Sequence, residues 1–137
     1  MKGKKLRTAV VIFCLAVVVV FLWYTSPKTF LRGVDPAEVE VINIFDGNTG
    51  RGWSVEDPEE IAAIVTNVQE HTLHRKGISL GYMGYSLKMS FVDENEKEIA
   101  LFILNGEGVI RKDPFFYRCD GGLCYEEIKA TEGIIQE

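Results

Sequence analysis

From Thr8 to Tyr24 the chain carries no charged residue. Nothing else in the sequence limits its fold so strongly. These seventeen residues, wound as a helix, reach about 25 Å, close to the roughly 30 Å of a bilayer's hydrocarbon core. The β-branched stretch Val17-Val18-Val19-Val20 is a poor helix former in water. In lipid the backbone must satisfy its own hydrogen bonds, so the same stretch becomes helical. Trp23 and Tyr24 fall where an interfacial aromatic belt belongs. Ahead of the run, Met1-Lys2-Gly3-Lys4-Lys5-Leu6-Arg7 holds four basic residues and no acidic one. That bias keeps the amino end in the cytoplasm and sends the rest across. The sequence thus predicts a basic cytoplasmic segment (1–7), a transmembrane signal anchor (8–24) and a single-pass protein of the cell membrane with its carboxyl-terminal domain outside.

Three other readings fit less well. A cleaved secretory signal needs a small-x-small site, whereas Trp23-Tyr24-Thr25-Ser26-Pro27 is bulky and runs into proline. A lipid-modified Cys14 needs a small residue before it, and Phe13 stands there. A buried core helix needs protein on every side, and a chain of 137 residues has too little left to surround it.

Net charge divides at the anchor. The whole chain is −5, but its first seven residues are +4, and from Ser26 onward 20 Asp and Glu face 11 Lys and Arg. An acidic outer domain repels nucleic acid, so no nucleic-acid partner is expected.

After a juxtamembrane linker over 25–37, the pattern over 38–137 is that of one α+β domain outside the membrane. Val39, Val41, Ile42, Ile44 and Phe45 read as a strand, ended by the turn-rich Asp46-Gly47-Asn48-Thr49-Gly50-Arg51-Gly52. Trp53-Ser54-Val55 reads as a short return strand. Asp57-Pro58-Glu59-Glu60 is a helix start, and Ile61, Ile64, Val65 and Val68 give that helix one apolar face. The helix is expected to fade over Glu70–Leu73. From Tyr82 to Val92 the residues alternate, with Tyr85, Leu87, Met89 and Phe91 on one side. Ile99–Leu104 returns after an acidic turn, and two further short strands flank Lys112-Asp113-Pro114. Tyr125–Ala130 reads as a closing helix. The expected architecture is an antiparallel meander with one main helix packed on a face, preceded by the transmembrane helix.

Residues with chemical potential are few. Cys119 and Cys124 bracket a Gly-Gly turn and suit a disulfide outside the cell; their spacing is not Cys-x-x-Cys. His71 and His74 can share a helix face but lack a third ligand, and no metal or other cofactor is expected. The glycine-rich segment 47–52 has no Gly-Lys-Ser/Thr and reads as a turn. Asp93-Glu94-Asn95-Glu96-Lys97-Glu98 lacks the spacing of a calcium loop and reads as a hairpin tip. Trp53, Tyr82 and Tyr85 are candidates for an aromatic binding surface, with burial in the core the competing use. No Ser-x-x-Lys motif and no Cys-His pair of familiar catalytic spacing is present. Asp46 and Glu56, close to Trp53 in sequence, are the carboxylates on which an envelope hydrolase would draw.

The succession of a strand, the helix start Asp57-Pro58-Glu59-Glu60-Ile61, the strand Gly84–Asp93 with its acidic turn, and Phe115-Phe116-Tyr117-Arg118 resembles small uncharacterised extracytoplasmic domains of Gram-positive bacteria, carried behind a signal or lipid anchor. The resemblance spans residues 38–130 and implies no catalytic residue. The expected function is a membrane-anchored, non-catalytic binding domain with an envelope protein or peptide as partner. A small hydrolase and an accessory subunit held through the anchor are the alternatives.

Overall fold

The structure is a computed structural model, and it describes residues 1–119 and 121–134. Helix α1 (Lys2–Thr25) has no buried residue and is long and apolar enough to cross a membrane. Its neighbours in the chain then form an α+β domain: β1 (Val41–Asp46), β2 (Arg51–Val55), α2 (Pro58–Glu70), β3 (Leu73–Ile78), β4 (Leu87–Val92), β5 (Glu98–Leu104), β6 (Val109–Lys112), β7 (Phe115–Cys119) and α3 (Tyr125–Ile134). The strands make one antiparallel sheet in the order β2-β1-β4-β5-β6-β7-β3. Strands β4 to β7 are the expected meander, and the β1–β2 hairpin extends it on one side.

The alternation in the strands decides which face is the core. Ile42 and Ile44, Trp53 and Val55, Leu87, Met89 and Phe91, Phe102 and Leu104, Ile110, and Tyr117 all turn inward. Strands β2 and β3 are the two edges, so α2 must lie across the sheet to join them. Thirteen residues of helix span about 20 Å, most of the width of the strands between. The Asp57 carboxylate accepts from the Glu59 N–H at 2.9 Å and caps the helix. Ile61, Ile64, Val65 and Val68 are buried, as their spacing predicts.

Two elements differ from the sequence reading. Leu73–Ile78 is a strand where the sequence suggested only the frayed end of a helix. Its composition, Leu-His-Arg-Lys-Gly-Ile, carries no alternation, because an edge strand with one buried residue needs none. The juxtamembrane segment is also no free tether. Lys28 pairs with Leu73 through two backbone hydrogen bonds of 2.7 and 2.8 Å. The Phe30 ring stacks on Phe102 and meets Tyr117 edge-on, and Leu31 is buried. The Gln69 side-chain amide donates to the carbonyls of Leu31 and Val34. This segment, α2 and α3 together cover one face of the sheet.

Candidate functional site

Among the described residues, no helix lies over the other face. Phe45, Lys88, Ile103, Arg111 and Phe116 form a row across it, in register from β1 to β7. What crosses this face is the connection from edge strand β3 to central strand β4, the strap 79–86. Its start is fixed where the Ser79 N–H donates to the Pro114 carbonyl and the Ser79 hydroxyl to the Asp113 carboxylate, at 2.8 and 2.6 Å. Its middle is held by Arg111, whose guanidinium donates to the Gly84 carbonyl at 3.2 Å and pairs with Asp113 at 3.0 Å. Its end is fixed where Ser86 meets Asn105, Asn48 and the Gly47 N–H. Gly47 lies so close to the strap that a Cβ there would stand 2.4 Å from the Tyr85 carbonyl oxygen.

Arg111 and Ser79 hold the Asp113 carboxyl below its usual range; hydrogen bonding from Arg111 is the largest cause, and slight burial opposes it.

The strap brings two of the three predicted aromatic residues to this face. Tyr82 is 54% exposed and meets Phe116 edge-on at 5.2 Å. Tyr85 is half-buried, with its ring 6.2 Å from that of Phe45. The alternation had placed Tyr85 with Leu87, Met89 and Phe91 on one side. Strand β4 begins only at Leu87, so the parity breaks before Tyr85 and its ring falls on the outer face. Tyr82, Tyr85, Asn48, Asn105, Lys76 and Phe116 line an open groove of about 580 Å³. Aromatic rings next to side-chain amides suit a ligand that is part apolar, part hydrogen-bonding.

Trp53 does not join them. It is 8% exposed on the opposite face, and its indole N–H donates to the Thr131 hydroxyl at 2.8 Å. Its neighbours make it a fastening for α3. The Lys129 ammonium lies 3.3 Å from the fully buried Asp46 carboxylate, and Arg51 lies 3.6 Å from Glu132. Burial works against the charge on Asp46. The Asn48 N–H, the Lys129 ammonium and the Thr49 N–H outweigh it and hold the carboxyl below its usual range. A general acid needs the opposite shift. Glu56 follows Val55, which is paired with Ile42, while Asp46 is at the other end of the same hairpin, paired with Arg51. The two carboxylates named for hydrolysis therefore do not face each other.

Cys119 and Cys124 stand as separate thiols, without the disulfide expected from their spacing. Cys119 is turned into the core at the end of β7, and the Cys124 N–H is held by the Asn67 side chain on α2 at 3.0 Å. Asp120, between them, lies outside the described residues. Burial pushes the Cys124 thiol up to about 11. His71 closes α2, its ring against the Asn67 carbonyl, while His74 is in β3, so the two do not share a helix face. Among the described residues no group of three or more His, Cys, Asp or Glu side chains could hold a metal ion.

One arrangement had no signal in the sequence. The Arg75 guanidinium donates to the carbonyls of Trp23 and Tyr24 at 2.7 and 2.8 Å, in the last turn of α1. It stands 4.2 Å over the Trp23 ring and 4.8 Å from that of Phe115. A cation at a helix C-terminus is favoured by the dipole, and stacking adds cation–π attraction. Arg75 thereby ties the apolar helix to the sheet.

Compared with known protein families, curated proteins and solved structures, the chain matches none.

Proposed function

We propose that this chain is a single-pass membrane protein with a cytoplasmic amino end, whose domain stands outside the cell and binds a polypeptide partner without catalysis. The observation that carries this reading is the groove on the uncovered sheet face, where the pinned strap presents Tyr82 and Tyr85 beside Asn48 and Asn105. Tyrosine rings give contact area at little entropic cost, and amides can pair with the peptide groups of an extended segment. The helix α1 supports the anchored half of the reading, and the basic residues before it support the orientation.

The test uses the full-length chain, purified in detergent from its native membrane with whatever it retains. Envelope proteins held by the wild type are expected to be lost from a Tyr82→Ser/Tyr85→Ser variant of unchanged thermal stability. Equal retention by both would overturn the groove as the binding surface. Protease added to intact cells is expected to remove the domain; a fully protected carboxyl half would overturn the orientation.

A further inference from the structure

Among the described residues that follow α1, the large apolar side chains more than half exposed all fall in six consecutive residues. They are Ile78, Leu80, Tyr82 and Met83, at 69, 68, 54 and 90%. A soluble surface tolerates such residues singly; a cluster of them marks a contact. Their place in the fold says with what. Ile78 is paired with Phe115, and the Phe115 ring lies 5.8 Å from Tyr24 and 6.5 Å from Trp23, at the end of α1. Leu80 is two residues further, within about 7 Å along the chain. It lies at the tip of a turn closed by the Tyr82 N–H on the Ser79 carbonyl, with Gly81 at φ +82°. The Tyr82 ring turns back onto Phe116, so Ile78, Leu80 and Met83 are the side chains left to point away from the sheet.

Charge agrees with this placement. In a domain rich in carboxylates, His71–Val92 contains no acidic residue, and Arg75, Lys76 and Lys88 are basic. The linker side is alike: Thr25–Val34 has Lys28 and Arg32 and no acid. The neighbouring Asp113 is already paired with Arg111. Aliphatic tips ringed by basic residues, next to a membrane-crossing helix, match the chemistry of a lipid headgroup boundary.

We infer that the tip of the strap, Ile78–Met83, rests in the interface of the same bilayer that holds α1. The domain then has two attachments, the helix and this tip, with Arg75 fixing the angle between them. The inference rests on the anchored reading of α1 above. The binding groove would open beside the membrane surface.

The test reconstitutes the full-length chain in vesicles of phosphatidylcholine and phosphatidylglycerol, with a photoreactive benzophenone amino acid at position 80, 83, 95 or 17. Mass spectrometry then scores lipid adducts. Positions 80 and 83 are expected to give about tenfold more lipid adduct than position 95, on the acidic hairpin tip. Position 17, inside α1, reports the anchor itself. Adducts at 17 with none above the level of 95 at 80 and 83 would overturn the lipid contact and leave the anchor standing. Links from 80 and 83 to a second copy of the chain would overturn it in favour of self-association. No adduct at 17 would overturn the anchor and this inference together.

Discussion

Asp46 and Lys129 show how one buried pair sets the behaviour of the molecule in acid. The Asp46 carboxyl is held below its usual range despite full burial, and so is the exposed Asp113 carboxyl. Both release their protons more readily folded than unfolded. Their contribution is complete above the unfolded value of about 4 and is lost as pH falls through the lowered folded values. Chemical denaturation from pH 7 down to 2 is expected to show a loss of stability beginning below about pH 4. Asp46→Asn is expected to be less stable than wild type at pH 7 and to show a shallower fall in acid. At the same scale, Cys124 is expected to resist modification. A thiol at about 11 is ionised to only about 0.1% at pH 8. Iodoacetamide is expected to label it on the order of a hundredfold more slowly than an exposed cysteine, read by peptide mass spectrometry.

Among the elements, the strap and α3 differ in how they are held. Helix α3 has a hydrophobic seat, with Ile128 fully buried, and three polar fastenings to β1 and β2. The strap has no buried run of its own; it depends on Arg111, Asp113 and Asn105 at separate points. Arg111→Ala is expected to release its middle while leaving the sheet intact. Amide exchange over residues 80–85 should rise about tenfold, with β4 and β5 unchanged. If the groove binds a partner as proposed, the same variant should weaken retention, because Tyr82 and Tyr85 lose their setting. The strap's ends are long-range contacts, so reading it from sequence was out of reach. Tyr82–Val92 looked like one alternating strand because residue types alternate through a segment whose backbone turns.

At the scale of the whole molecule, the coupling of α1 to the domain runs through Arg75 and the Lys28–Leu73 bridge. Arg75→Ala is expected to loosen that coupling without freeing the protein from membranes. In reconstituted vesicles, trypsin should cut after Lys28 several-fold faster in the variant, while sedimentation with lipid stays the same. Equal cleavage would mean that the linker's packing, through Phe30 and Leu31, holds the domain without Arg75.

The division between what was legible and what was not follows from the range of the forces involved. The apolar helix, the Asp57-capped α2 with its buried stripe, the β1–β2 hairpin and the β4–β7 meander were readable, because periodicity, caps and turns act between residues close in the chain. Gly77-Ile78-Ser79-Leu80-Gly81 has the Gly-x-Ser-x-Gly spacing of a nucleophile elbow, but it opens no helix, and Ser79 is buried with its hydroxyl donated to Asp113. Only the tertiary structure decided that Trp53 fastens α3 while Tyr82 and Tyr85 face outward, that Leu73–Ile78 is an edge strand, and that Arg75 grips the end of α1. Each of these depends on partners far apart in the chain, 78 residues for Trp53 and Thr131 and 52 for Arg75 and Trp23. A side chain's burial is set by what the fold brings over it, and local pattern carries no record of that.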